Sequence, residues 1–263
     1  MSFAESNGAR LHYQLDGPAN APVLVLSNSL GTNLSMWDPQ MPALRARYRV
    51  LRYDTRGHGQ SQVTPGPYSI TQLGRDVVGL LDATGIERAH FCGLSMGGMT
   101  GMWLGVYAPE RIDRLVLCNT AAKIGSPEVW NARLEMVRTQ GMAAVAETQG
   151  QRWFTPKFMA ASPAVVKSTL QMVANTSPEG YAANCGAIRD MDQRETISRI
   201  RARTLVVAGR HDPVIPAADV KYLVEKIQGA KLVELDASHL SNMEATDEFT
   251  KALVNFLTEP EGK

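Results

Sequence analysis

The sequence predicts an α/β protein: a mostly parallel, doubly wound sheet flanked by helices, with a helical insertion after a strand that ends near Asn119. Three observations predict it. Short apolar runs alternate with segments whose apolar residues recur at helical spacing, which is the rhythm of βαβ units. Several runs, such as Pro22-Val23-Leu24-Val25-Leu26-Ser27-Asn28, are continuously apolar, as strands covered on both faces are. One run, Ala89 to Leu94, leads through Gly93-Leu94-Ser95-Met96-Gly97 straight into a helical pattern, so a serine stands at a sharp strand-to-helix turn.

In chain order, Arg10 to Gly17 alternates loosely and reads as a strand that turns at Gly17-Pro18. Pro22 to Asn28 is a central strand, followed by the loop Ser29-Leu30-Gly31-Thr32. Trp37 to Arg45 carries a helical pattern despite Pro39 and Pro42. Tyr48 to Asp54 is the next strand, and Thr55 to Ser61 is a glycine-punctuated turn. Ser69 to Leu81 is a helix that ends before Gly85. The helix after Ser95 runs to Tyr107 and is closed by Pro109; Arg114 to Asn119 is again a strand. The texture then changes. Helical patterns rich in Met, Trp and Ala follow, broken at Gly125-Ser126-Pro127, Thr155-Pro156, Ser162-Pro163 and Ser177-Pro178. This predicts a helical cap over residues 121–194, inserted into a core made of residues 1–120 and 195–263. The earlier rhythm resumes with strands at Thr204 to Gly209 and Lys231 to Asp236, and helices at Ala217 to Ile227 and Glu244 to Leu257.

A chain of 263 residues, 44% hydrophobic and 20% charged, suits one globular domain with an inserted subdomain. A net charge of +1 gives no reason to expect nucleic acid or an anionic membrane surface as a partner. The three cysteines, Cys92, Cys118 and Cys185, are scattered and odd in number, and read as small buried residues in a reducing compartment. The first residues lack the basic and apolar regions of a secretory signal, and no apolar run reaches the roughly 18 residues of a membrane span. The expected location is the cytoplasm. Nothing in the pattern signals an oligomeric state.

The glycines flanking Ser95 remove Cβ atoms where the chain doubles back, so the hydroxyl stands free. The N–H of Met96 sits beside it at a helix N-terminus, placed to meet an anion. An acyl-transfer serine needs a base, and the base needs an orienting acid. Arg210-His211-Asp212-Pro213 follows one strand, and Ala237-Ser238-His239-Leu240 follows the next. In parallel sheets the loops at the carboxyl ends of strands build the site. Alone, Asp212 could be a turn residue before proline and His239 a capping residue. Together with Ser95, on three strand ends, they form a serine–acid–histidine set in the order Ser95, Asp212, His239. His58, in Arg56-Gly57-His58-Gly59, reads as a structural residue of a tight turn. His211 points away from its neighbour, and His12 and His90 have no acid at useful spacing. No metal or organic cofactor is called for.

The whole chain resembles an α/β-hydrolase with a helical cap, a fold whose sheet is of the eight-stranded type and whose triad runs in this chain order. Finer stretches carry a closer resemblance. They are Val25-Leu26-Ser27-Asn28-Ser29-Leu30-Gly31-Thr32, Met36-Trp37-Asp38-Pro39-Gln40, Tyr53-Asp54-Thr55-Arg56-Gly57-His58-Gly59-Gln60-Ser61, Cys92-Gly93-Leu94-Ser95-Met96-Gly97-Gly98 and Ala187-Ile188-Arg189-Asp190-Met191-Asp192. Together they resemble the 3-oxoadipate enol-lactonase family of bacterial aromatic catabolism. The string Ser27-Asn28-Ser29-Leu30-Gly31-Thr32 is the most discriminating part, since Asn28-Ser29 stands where many α/β-hydrolases carry His-Gly. Some hydrolases place the acid after the strand that ends here at Asn119-Thr120, which strengthens Asp212.

The resemblance implies hydrolysis of a small lactone, 3-oxoadipate enol-lactone, with an oxyanion hole from the backbone N–H groups of Leu30 and Met96. Two routes are open, an acyl-enzyme on Ser95 or direct attack by water with Ser95 as polariser. The substrate carries a carboxylate away from the ring, which suits a bidentate arginine. Arg133, near Trp130 on one helical face, is the favoured partner, and Arg138, Arg152 and Arg189 are the others. Trp130, Met136, Trp153 and Phe154 are candidate pocket walls. Another small-ester or C–C-bond hydrolase of the same fold, or a non-catalytic binding protein on that scaffold, are the competing readings.

Overall fold

A computed structural model describes residues 2–260. One sheet of eight strands, in the order β1-β2-β4-β3-β5-β6-β7-β8, organises them. The strands are β1 Ser2–Ser6, β2 Ala9–Asp16, β3 Val23–Ser27, β4 Arg49–Tyr53, β5 Ala89–Leu94, β6 Ile112–Cys118, β7 Arg203–Gly209 and β8 Lys231–Leu235. β2 is antiparallel to both β1 and β4, and every pairing from β4 through β8 is parallel. The sheet is therefore the mostly parallel one that the apolar runs predicted.

The helices are α1 Met41–Leu44, α2 Ile70–Ala83, α3 Met96–Tyr107, α4 Pro127–Trp153, α5 Pro156–Ala161, α6 Pro163–Ala174, α7 Pro178–Asp190, α8 Ala217–Lys226, α9 Ser241–Glu244 and α10 Thr246–Thr258. α3 packs on β5 and β6 and against α2, while α10 packs on β8. Every residue of β5 is buried, and so is every residue of α3 except Tyr107. Burying a side chain such as Phe91 stabilises the fold by roughly 1.5–3 kcal/mol, so this strand–helix pair anchors the turn between them.

The order of elements follows the sequence pattern with three differences. β1 is an added strand, joined to β2 through Asn7-Gly8, both at positive φ (46° and 75°). Asn-Gly is the dipeptide that a two-residue hairpin favours, and it was the available signal. The segment expected as one helix from Trp37 to Arg45 is a 3-10 stretch, Leu34–Gln40, followed by the short α1. Pro39 removes a backbone donor there, and the tighter turn absorbs the loss. The third difference is in α4, which is broken at Gly141, where φ is 76° and ψ −179°.

Between β6 and β7 lie α4 to α7. Each of the four Ser/Thr-Pro pairs opens one of these helices, with the proline in the first turn, where its missing N–H costs nothing. α4 packs against both α6 and α7. Among the described residues, no helix is long and apolar enough to cross a membrane.

Candidate active site

Ser95 lies between β5 and α3 with φ 56° and ψ −115°, a conformation that L-residues rarely hold. The neighbours over-determine it. Its N–H donates to the Cys118 carbonyl (2.9 Å), and its carbonyl accepts from the Met99 N–H (3.1 Å) and the Thr120 hydroxyl (2.8 Å). The flanking glycines are there for space. A Cβ on Gly93 would overlap the Gly97 carbonyl, and one on Gly97 would overlap the Ser27 carbonyl. The serine is thereby held at the carboxyl end of the sheet, at the N-terminus of a buried helix.

Asp212 and His239 meet across the loops after β7 and β8. His239 Nδ1 lies 2.8 Å from Asp212 Oδ2, and both side chains are only 2% exposed. Asp212 Oδ1 accepts the N–H groups of Val214 (2.8 Å) and Ile215 (3.1 Å). Burial pushes the Asp212 carboxyl pKa up, but His239, the Asn119 amide and the Val214 N–H together outweigh it and hold it below the ordinary value. The carboxylate is thus ionised at neutral pH and acts as acceptor, which sets the imidazole proton on Nδ1 and leaves Nε2 as the basic nitrogen.

The loop after β3 is built as closely. The Asn28 side chain bonds the Tyr53 carbonyl (2.7 Å) and accepts from Trp37 Nε1 (3.0 Å), while its own carbonyl accepts the Gly97 N–H (3.0 Å). The loop is therefore tied to the helix that follows Ser95. His58 Nε2 accepts the Gly31 N–H at 2.8 Å, next to Leu30. Burial pushes the His58 pKa down to about 4, so it is a neutral acceptor, the structural role its turn implied. The Leu30 N–H donates to no acceptor among the described residues, and Met96, first in its helix, has no helical acceptor before it. These two donors are free to meet an anion.

Ser95, His239 and Leu30 line one pocket with Ser29, Met99, Ile124, Trp130, Arg133, Gln149, Arg152, Trp153, Tyr181, Ile188 and Val214. It is small, about 50 Å³, against about 460 Å³ for a groove between α4 and α6. That groove is walled by side chains such as Ala143, Val166 and Leu170 and holds no nucleophile–base pair, so chemistry decides between them. Trp130, Arg133 and Trp153 are thus brought to Ser95 as the sequence predicted. Arg189 is not. It forms two bonds to Asp190 (2.7 and 2.9 Å) and one to Asn131 (3.1 Å), outside the pocket walls. Its adjacent carboxylate captures it, which corrects its assignment to substrate. Met136 and Phe154 are likewise not among the walls, and Arg138 pairs with Glu135 (2.6 Å).

Two further residues bear on the site, one of them already among the cap arginines that the sequence offered. Arg152, exposed along part of its length, lines the pocket near Arg133, and neither arginine forms an ion pair among the described residues. Burial, and then the Arg133 charge, pull the Arg152 pKa below its ordinary value. Asn119 is the other: its amide reaches Asp212 Oδ2 at 3.0 Å. Among the described residues, no group of three His, Cys, Asp or Glu side chains is placed to hold a metal.

Residues 22–246 match the family model for the alpha/beta hydrolase fold. The chain is 47% identical to 3-oxoadipate enol-lactonase 2 of Acinetobacter baylyi, over 92% of this chain and 91% of that protein. It is 44% identical to 3-oxoadipate enol-lactonase 1 of the same organism, over 98% and 96%. The crystal structure of the enol-lactonase from Burkholderia xenovorans LB400 superposes with a TM-score of 0.97 at 52% identity, covering 98% of this chain and all (100%) of that one. The likeness runs along nearly the whole of each chain, and the chain belongs to the α/β-hydrolase family, in the group of the 3-oxoadipate enol-lactonases.

Proposed function

We propose that this protein hydrolyses 3-oxoadipate enol-lactone to 3-oxoadipate in aromatic catabolism, with Ser95 as nucleophile, His239 as base and Asp212 as its orienting acid. His239 Nε2 takes the Ser95 proton as Oγ attacks the lactone carbonyl carbon. The carbonyl oxygen becomes an oxyanion between the N–H groups of Leu30 and Met96. The carbonyl re-forms as the ring C–O bond breaks. The departing enolate oxygen takes the proton from His239, and the enol becomes the ketone. Water, deprotonated by the same histidine, then releases the acyl group from Ser95. An enol is a good leaving group, so little acid assistance is asked of His239. Direct attack by water, with Ser95 as polariser, is the competing route.

The observation that carries the substrate choice is the pair Arg133 and Arg152, which line the pocket of Ser95 and His239 and have no carboxylate partner among the described residues. A substrate carboxylate supplies the missing charge, and Arg133 with Trp130 and Trp153 forms its binding wall. Residues 121–194 serve as the cap over a core of residues 1–120 and 195–263. The reading carries a cytoplasmic location with it, supported by three cysteines that are all unpaired and buried.

The test compares the enol-lactone with an uncharged aryl ester, in the wild type and in Arg133→Met. The wild type is expected to prefer the lactone strongly. Loss of a charged hydrogen bond raises KM for the lactone about 10- to 100-fold with kcat nearly held, and affects the ester far less. Preference for the aryl ester with no lactone turnover identifies a general esterase instead.

A further inference from the structure

Asn119 follows β6 directly with φ 44°, one of three non-glycine residues at positive φ among the described residues. Asparagine tolerates that region better than most residues. The conformation turns its side chain to a place where all its polar capacity is used. Nδ2 donates to Asp212 Oδ2 (3.0 Å) and to the Ser238 carbonyl (3.2 Å), and Oδ1 accepts the Ser241 hydroxyl (2.6 Å). Two acceptors on one side and a hydroxyl on the other leave one orientation of the amide. Its backbone N–H donates to the Val207 carbonyl of β7 (2.8 Å). Asn119 and Ser241 are 1% and 0% exposed, so water does not compete for these bonds.

We propose that Asn119 is a positioning residue for the hydrolysis. It fixes the carboxylate oxygen of Asp212 that faces His239, and it ties the loop after β7 to the loop after β8. The inference rests on the reading of Ser95, His239 and Asp212 as the reacting set. Asp212 Oδ1 is already held by two backbone N–H groups, and among the described residues only Asn119 holds Oδ2 besides His239 itself. With that second donor present, the carboxylate cannot rotate about its own axis without losing a bond at each oxygen. The histidine is then presented with one acceptor at one angle. Because the same amide bonds the Ser238 carbonyl, one residue before His239, the acid and the base move together.

The charged groups around the pair are His239 itself, Arg152 on α4, the His211–Asp236 pair beside Asp212, and Glu244, which accepts the Ser238 N–H. Two variants separate positioning from a merely structural role. Asn119→Gly removes the amide while tolerating positive φ. Asn119→Asp keeps shape and the acceptor for Ser241 but sets a second carboxylate against Asp212.

On the enol-lactone, Asn119→Gly is expected to lower kcat about 10- to 100-fold with KM within about twofold. In an Asp212→Asn background the same change costs less than about twofold, because the residue acts through Asp212. Asn119→Asp stabilises the protonated imidazole and moves the acidic limb of the kcat/KM profile up by about one pH unit. An equal loss in both backgrounds, or an Asp variant slowed equally at every pH, overturns the proposal. Asp212→Asn with wild-type turnover instead overturns the triad reading beneath it. If the glycine variant fails to fold, the limb shift in Asn119→Asp still decides the matter.

Discussion

Ser95 is held at φ 56°, which costs about 1–3 kcal/mol on its own, and is sustained by bonds to Cys118, Met99 and Thr120. The same economy of single residues appears at His58, a buried neutral acceptor for the Gly31 N–H. Its pKa falls from an ordinary 6.5 to about 4 because burial disfavours the charge. The unfolded chain therefore takes up a proton at a higher pH than the folded one. The stabilisation is complete above about pH 6.5 and is lost as the pH falls towards 4, amounting to about 3 kcal/mol in all. Urea unfolding should show about 2 kcal/mol lost from this residue between pH 7 and pH 5. His58→Gln should flatten the pH slope by that amount; an unchanged slope contradicts it. At this scale the convergence of Ser95, Asp212 and His239 was legible, because Gly-x-Ser-x-Gly and two strand-end loops are local patterns. Asn119 was not. Its Asp212 contact depends on loops 93 positions apart closing on each other, which no spacing reports.

Among elements, the segment joining α4 to α5 is fastened to the loop that carries His239. Glu244 is the fastener: its carboxylate accepts the Ser238 N–H (2.8 Å), the Thr155 N–H (3.2 and 3.3 Å) and the Thr155 hydroxyl. Leu240 N–H also donates to the Trp153 carbonyl (3.1 Å), and the Ser238 hydroxyl to the Arg152 carbonyl (3.2 Å). The pocket wall formed by Arg152 and Trp153 thus shares its support with His239. Glu244→Ala leaves the Thr155 and Ser238 donors without their acceptor and should cost about 2–3 kcal/mol in denaturant midpoint analysis, with kcat lowered too. A change under about 0.5 kcal/mol would contradict the linkage. Helix starts in this region were legible from Ser/Thr-Pro pairs. The break in α4 was not, since Gly141 sits in an unbroken run of helix-compatible residues and only its φ of 76° marks it.

Across the described residues, one mostly parallel sheet gathers at its carboxyl edge the loops after β3, β5, β7 and β8. They bring together residues as distant in sequence as Leu30 and His239 in one pocket. That convergence was legible because continuous apolar strands alternating with helices leave few topologies. The choice between Arg133, Arg152 and Arg189 was not, because helical spacing gives a face but not what the face meets.

Ser95, at the carboxyl edge of that sheet, is the nucleophile proposed for an enol-lactone. The direct measurement is steady-state turnover of 3-oxoadipate enol-lactone by purified wild type and Ser95→Ala, with folding checked by circular dichroism. Ser95→Ala is expected to lower kcat by about 10⁴-fold or more with KM little changed. A variant that keeps kcat within about tenfold of the wild type would contradict it, and would leave water as the attacking group.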